Sequence, residues 1–332
     1  MVVIYTAKHH HEVRRVRVCP MKDLHRILHS AVTGRNHPWC LATLVKAEGS
    51  SYRQPGARLL VHPDGCSTIG FLSAGCLEEE IAREGGDVMA RGIPRLVEYD
   101  TRKLFGCDGR LFIYLEKIPA AGESGNFLTN MAVRFARREP CKVAVPYAMA
   151  GGSRLLLDNA TAPAGSNDGI FVQTLPPPKR LIIFGTGPEV APLQSFAEGL
   201  GWTFLSYAHP DGLPGDFLVD AATAAVVMTH KIGRDLSALH RLVPLGLPYI
   251  GLLGAKRRHQ ELLSLFVDLY GAGLPHHWLR NIHAPAGLDT GSESPEEIAF
   301  SILAEAAAVL AGRNGGFLKE KPGSIHSMEV CV

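Results

Sequence analysis

One stretch limits the possible folds more than any other. Arg180-Leu-Ile-Ile-Phe184 reads as a buried strand, Gly185-Thr-Gly187 follows at once, Glu189 to Gly199 suits a helix, and Thr203 to Tyr207 suits a second strand. Strand, glycine turn, helix and strand in that order form the setting of a dinucleotide-binding turn. Gly185 and Gly187 would let backbone N–H groups approach a phosphate at the helix N-terminus. The match is incomplete. Val190 replaces the third glycine, and Pro188 takes a first-turn position. Ser206, Tyr207, Ala208 and His209 stand where an acidic residue is expected, and Asp211 comes late. The stretch predicts a Rossmann-type fold and leaves NAD(P) binding open, because a ribose would lack its usual carboxylate.

The alternation continues downstream. Ala224 to Met228 reads as a strand ending at Thr229-His230, Leu236 to Leu242 as a helix, and Tyr249 to Leu252 as a strand. Gly254 then leads into a helix opening with Lys256-Arg257-Arg258. Ligands of such sheets collect outside the carboxyl ends of the strands. His230, Arg257 and Arg258 are therefore binding candidates, and two arginines can hold a phosphate through charge-assisted bonds. Their plainer reading is a solvated helix face and a strand-end histidine. Ser294 and Glu297 form a capping box with Pro295 at the first helical position, so a helix runs through Ile298 to Leu310.

The first half mixes helices and strands. Apolar residues at 24, 27, 28, 31 and 32 have helical spacing over 22–33. Strands are expected at 40–46, 57–62, 67–72, 96–99 and 111–115, helices at 77–91 and 126–138, and a hairpin from 141–149 and 154–157. Residues 161–168 are rich in small residues and read as a loop, and Pro176-Pro-Pro178 is a stiff boundary. The expectation is an α/β protein: a flexible leader at 1–20, a mixed α/β domain at 21–176, a Rossmann-like doubly wound parallel-sheet domain at 179–314 and a tail at 315–332.

Two cysteines carry the chemistry of the first domain. Cys76 follows Ser73-Ala-Gly75 and precedes a helical run, so its thiol would feel the positive end of a helix and could act as a thiolate. Cys107 lies in a similar loop, Phe105-Gly-Cys-Asp-Gly109. Both could equally be half-buried structural thiols. The seven cysteines show no C-x-x-C pair and no zinc-ribbon spacing, which favours free thiols in a reducing compartment. A net charge of +2 gives no electrostatic case for nucleic acid or an anionic membrane. No apolar run is long enough for a transmembrane helix, and no export signal is recognisable.

Seven motifs in register resemble one family over most of the chain. They are Glu48-Gly-Ser-Ser-Tyr-Arg-Gln-Pro-Gly56, Ser73-Ala-Gly-Cys-Leu-Glu78, Gly106-Cys-Asp-Gly109, Phe184-Gly-Thr-Gly-Pro188, Met228-Thr-His230 with Asp235, Tyr249-Ile-Gly-Leu-Leu-Gly254, and His283-Ala-Pro-Ala-Gly-Leu-Asp289 through Pro295-Glu-Glu-Ile-Ala299. Together they are similar to the xanthine dehydrogenase accessory factor (XdhC/CoxI) family. That resemblance implies a cytoplasmic chaperone that binds molybdenum cofactor (molybdopterin) transiently. Such a chaperone protects the cofactor during sulfuration by a cysteine desulfurase and inserts it into an apo-molybdenum hydroxylase of the xanthine dehydrogenase type. It implies a maturation factor rather than a catalyst, so no catalytic residue is assigned. The cofactor-binding candidates are then Arg53, Gly75, Cys76, Glu78, Cys107, Gly185, Gly187, His230, Arg257 and Arg258, with the thiolates of Cys76 and Cys107 contacting molybdenum. A homodimer is expected on the general prevalence of symmetric dimers. An NAD(P)-dependent oxidoreductase using the Rossmann half is the alternative.

Overall fold

The computed structural model describes residues 21–33, 37–49, 51–73, 75, 77–101, 109–149, 151–156, 165–167, 169–270 and 275–322. It divides into two compact units, Met1–Pro178 and Lys179–Val332. The expected leader at 1–20 lies outside the described residues.

In the first unit, α1 (Met21–Thr33) buries Leu24, Ile27, Leu28 and Ala31, one apolar stripe at helical spacing. The strands β1 (Trp39–Gly49), β2 (Arg58–Val61), β3 (Thr68–Gly70), β4 (Arg95–Asp100) and β5 (Gly109–Ile118) form an antiparallel sheet in the order β3-β2-β1-β5-β4. β1 is buried over most of its length, so it lacks the simple alternation that marks a one-sided strand. The helix α2 (Glu78–Arg91) covers one face, packing Leu77, Ile81, Ala82 and Val88 against Cys40, Ala42, Leu59 and Val61. Gly85 permits that approach: a methyl there would lie 3.3 Å from both Cys40 Sγ and a Val61 methyl. Gly92, in the left-handed region, closes the helix by donating its N–H to the Val88 carbonyl.

A second sheet, β7-β6-β9-β8, is built from β6 (Cys141–Pro146), β7 (Arg154–Leu156), β8 (Gly165–Asn167) and β9 (Ile170–Leu175). It shares a core with the other face of the first sheet, with α1, and with α3 (Phe127–Ala136). One segment differs here from the sequence reading. Residues 161–168 are expected to be a loop, yet 165–167 pairs with β9. Gly165-Ser-Asn167 has no strand propensity of its own, so its pairing comes from the tertiary edge it lies on. Glu116, near the end of the apolar run of β5, is buried. It accepts hydrogen bonds from the Ser153 N–H at 2.7 Å and the Ser153 hydroxyl. Burial, the largest influence, raises its pKa despite those bonds and the Arg58 charge.

The second unit is a doubly wound parallel sheet. Its strands β10 (Arg180–Phe184), β11 (Thr203–Tyr207), β12 (Thr223–Val227), β13 (Tyr249–Leu252) and β14 (Ile282–His283) run in the order β11-β10-β12-β13-β14. All neighbouring pairs are parallel. Helices α4 (Val190–Gly199) and α8 (Pro295–Leu310) pack on the face carrying Leu181, Ile183, Ala224 and Val226. Helices α5 (Ile232–Leu242) and α6 (Lys256–Tyr270), with the short α7 (His276–Leu279), lie on the side of Ile182, Phe184, Ala225 and Val227. Both faces are covered, which explains why the inner strands β10, β12 and β13 are buried and read as apolar runs. The capping box at Ser294 and Glu297 is formed. No helix among the described residues is long and apolar enough to cross a membrane.

Candidate functional site at the sheet switch point

β10 and β12 are neighbours, but the helices that follow them leave to opposite faces. That is the switch point of a doubly wound sheet, where a crevice opens at the carboxyl ends of the strands. The turn Gly185–Glu189 and the segment Met228–His230 border it. Gly185 has φ of 145°, and a methyl on it would lie 2.4 Å from the Met228 carbonyl oxygen. The packing of β10 against β12 therefore requires this glycine whether or not a ligand binds.

Gly187 is different. A methyl there would lie 2.6 Å from Glu189 Oε2, 3.3 Å from Met228 Cε and 3.5 Å from His230 Nε2. Side chains, rather than backbone, converge on it. Glu189 is 8% exposed and stands as the N-cap of α4 without a side-chain capping bond. Its Oε2 is buried and accepts no hydrogen bond among the described residues. Thr186, Pro188 and His230 are exposed around it. His230 has φ of 56°, an uncommon left-handed conformation for a non-glycine residue and one that clusters at functional sites.

The two expected arginines have different surroundings. Arg258 pairs with the buried Asp235, whose other oxygen accepts from the Thr229 hydroxyl at 2.5 Å and the Thr229 N–H at 3.2 Å. Its guanidinium is committed to fastening α6 to the β12–α5 connection. Arg257 is exposed on the first turn of α6. His259, not singled out from sequence, is 2% exposed with neither ring nitrogen in a well-formed hydrogen bond among the described residues. Burial lowers its pKa and the Arg258 charge adds to that, while the Leu253 backbone and Asp235 oppose. A methyl on Gly254 would lie 3.3 Å from its Nε2. The only sequence signal for it was a histidine one turn into a helix after a strand-end glycine.

A second polar cluster lies where β13, β14 and α8 meet. Glu305 accepts from the Tyr249 hydroxyl at 2.7 Å and the Gly287 N–H at 2.7 Å, and His283 Nδ1 lies 2.8 Å away. Burial alone would raise the Glu305 pKa, but these partners outweigh it and the net shift is downward. Tyr249 is pushed up, first by burial and then by the Glu305 charge. The cluster ties the Pro285–Gly291 loop to α8.

In the first unit, Cys76 and Cys107 lie outside the described residues. What flanks Cys76 is described. Glu78 is buried, and its carboxylate accepts from the N–H groups of Leu72 (3.0 Å), Ser73 (2.8 Å) and Leu77 (3.2 Å) and from the Ser73 hydroxyl (2.5 Å). Burial raises its pKa and is the largest single influence, yet the hydrogen bonds together carry it below the ordinary glutamate value. Glu78 therefore holds Leu72, Ser73 and Leu77 together at the start of α2. Gly75 is exposed with φ of 107° and donates its N–H to Ser73 Oγ at 3.1 Å. Arg53 pairs with Asp23 of α1 at 2.7 Å, a tether between α1 and the β1–β2 connection. Cys40 and Cys141 are buried, and burial followed by the Glu116 charge pushes the Cys40 thiol up to about 12. No group of three or more His, Cys, Asp or Glu residues suited to a metal ion occurs among the described residues.

Comparison with known proteins agrees with this architecture. The family model for the XdhC Rossmann domain matches residues 181–306, and that for the XdhC and CoxI family matches 33–100. A probable xanthine dehydrogenase subunit of Bacillus subtilis is 29% identical over 80% of this chain and 91% of its own length. The molybdenum cofactor insertion chaperone PaoD of Escherichia coli is 28% identical over 81% of this chain and 82% of its own. The crystal structure of a xanthine dehydrogenase from Bacillus halodurans superposes with a TM-score of 0.72 at 26% identity, covering 90% of this chain and 98% of that one. With its seven motifs in register and both of its units matched, the chain belongs to the XdhC and CoxI family.

Proposed function

We propose that this chain is a molybdenum cofactor chaperone: it binds the cofactor, holds it during sulfuration and inserts it into an apo-molybdenum hydroxylase of the xanthine dehydrogenase type. The observation that carries the reading is the chemistry at the switch point. It offers an exposed imidazole and a carboxylate oxygen without a partner among the described residues, with an exposed guanidinium on the helix after β13, which suits holding a polar cargo. Likeness to an insertion chaperone over four-fifths of both chains supports it. The cargo fits these groups. On this reading Arg257 would take the phosphate of the cofactor and His230 would meet its polar edge. A cysteine desulfurase is the sulfur-supplying partner of this proposal, with a symmetric dimer in the cytoplasm as its setting.

Reconstitution tests the delivery role. Apo-hydroxylase is mixed with free cofactor at rising concentrations of this protein, and recovered activity should rise above the chaperone-free control. No gain at any concentration, with cofactor binding intact, ends the delivery role. Replacing Cys76 and Cys107 together by serine should lower the pterin retained on purification, and full retention would remove the thiols from the site. The parallel sheet and glycine turn also favour an NAD(P)-dependent oxidoreductase. Tight NADH binding with hydride transfer to a small substrate would replace the chaperone reading.

A further inference from the structure

We infer that the first turns of α5 and α6 form a binding site for a diphosphate group, at the carboxyl ends of β12 and β13 rather than at the glycine turn after β10. The inference deepens the reading above, resting on it for the phosphate at Arg257, and names the ligand class. α5 and α6 follow neighbouring strands onto the same face of the sheet, and the Arg258–Asp235 ion pair fastens their first turns together. Four exposed cations stand there: Lys231 at the N-cap of α5, Arg234 in its first turn, and Lys256 and Arg257 opening α6. None of the four is in an ion pair among the described residues, whereas Arg53, Arg83, Arg95 and Arg110 each lie against a carboxylate.

Their placement runs against the helix dipole. The N-terminal end of a helix is positive and favours acidic residues, so cations there are repelled. α6 has no acidic residue in its first turn, and Asp235 of α5 is spent on Arg258 and Thr229. Unpaired cations gathered on two positive helix ends call for an anion. The N-cap Lys231 gives no side-chain bond to the first N–H groups of α5, which stay available as donors. There is room above them: apart from its own helix backbone, a methyl on Gly233 would meet nothing within 4 Å among the described residues. Behind the turn into α6, His259 is 2% exposed, has neither ring nitrogen partnered among the described residues, and aims Nε2 at Gly254, 3.3 Å from where a methyl would stand. Arg258 Nη1 lies 3.4 Å from the same point. These two groups back the turn from below, while the anion meets its outer side. The glycine turn after β10 offers the reverse, because Glu189 stands at the N-cap of α4 and the first turn of α4 carries no cation. Four cations are more than a phosphate monoester needs at about two negative charges. A diphosphate, with two linked phosphoryl groups, can meet both turns at once.

Calorimetric titration of the full-length protein with inorganic pyrophosphate and with inorganic phosphate is the test. Pyrophosphate should bind at least about tenfold more tightly than phosphate. The double variants Lys231→Ala with Arg234→Ala and Lys256→Ala with Arg257→Ala, one on each helix, should each weaken pyrophosphate by about ten- to hundredfold. Arg137→Ala, which removes an exposed cation of the first unit, should leave it unchanged. With glycine labelled by 15N, the amide signals of Gly233 and Gly254 should move on addition of pyrophosphate, and those of Gly185 and Gly187 should stay. Equal affinity for the two anions, undiminished binding by either double variant, or shifts confined to Gly185 and Gly187 overturn the inference. ADP carries a terminal diphosphate and NAD a bridging one, and whichever binds more tightly names the source. Binding of pyrophosphate with neither of them overturns the inference as well, leaving an adventitious ion only. Pyrophosphate binding that survives a failed reconstitution keeps this site and removes only delivery. Delivery that survives loss of pyrophosphate binding removes only this site.

Discussion

Glu78 and Glu189 are equally buried, each 8% exposed, and each stands at the N-terminal end of a helix behind a turn of small residues. Their hydrogen bonding is opposite. Glu78 is filled by three backbone N–H groups and a hydroxyl, and Glu189 Oε2 by nothing among the described residues. The contrast separates two uses of one residue type. A saturated carboxylate holds a turn in shape and has no acceptor capacity left for a ligand. An unsaturated one costs stability where it stands, a cost natural proteins tolerate mainly at functional positions. Glu78 thus holds Leu72, Ser73 and Leu77 together at the start of α2, while Glu189 keeps an acceptor unfilled among the described residues.

The largest effect should come from emptying the saturated site. Glu78→Ala removes the carboxylate that accepts from the Leu72 and Ser73 N–H groups and the Ser73 hydroxyl in a buried turn, and it should cost about 3 kcal/mol, read as a lower denaturant midpoint for the first unit. A loss below about 1 kcal/mol would break the contrast, because Glu78 would then not be holding the turn.

Asp235 provides a second saturated case, with Arg258 and Thr229 as its partners. Asp235→Asn should cost about 2 kcal/mol, less than a fully buried pair because Arg258 keeps some solvent contact. If it costs nothing, saturation is not what distinguishes these carboxylates.

Acid should sharpen the comparison next. The folded Glu78 pKa is below its unfolded value, so its contribution is fully present above the ordinary glutamate pKa of about 4.3 and fades as pH falls through the lower folded value. The stability gap between wild type and Glu78→Gln should therefore be constant from neutral pH down to about 5 and shrink below that. A gap that widens in acid would reverse the sign assigned here.

The smallest effect, and the one of opposite sign, belongs to Glu189→Gln. Removing a buried carboxylate whose Oε2 has no partner among the described residues should leave stability unchanged or raise it by about 1 kcal/mol, seen as an equal or higher melting temperature of the second unit. A loss of about 2 kcal/mol or more would mean that Glu189 has a structural partner and belongs with Glu78.

Much of the second unit was legible in the sequence. The apolar runs at 180–184 and 249–252 became strands at those positions, because the inside of a sheet covered on both faces demands apolar side chains, and the half-exposed edge strand 203–207 also formed where it was expected. The capping box at Ser294 was equally legible, since its donors and acceptors lie within one turn of chain. Gly185 and Gly187 were visible as a pair, but not their different tasks. One is set by the carbonyl of Met228, distant in the chain, and the other faces three side chains from two segments. The split between Arg257 and Arg258 also needed the fold, because only packing brings Asp235 to the second and not the first. Sequence determined what is local and periodic: the strands, the helices, the caps and the family motifs. Tertiary structure decided which polar groups are filled and which are left open, because hydrogen-bond saturation depends on partners that are distant in the chain and near only after folding.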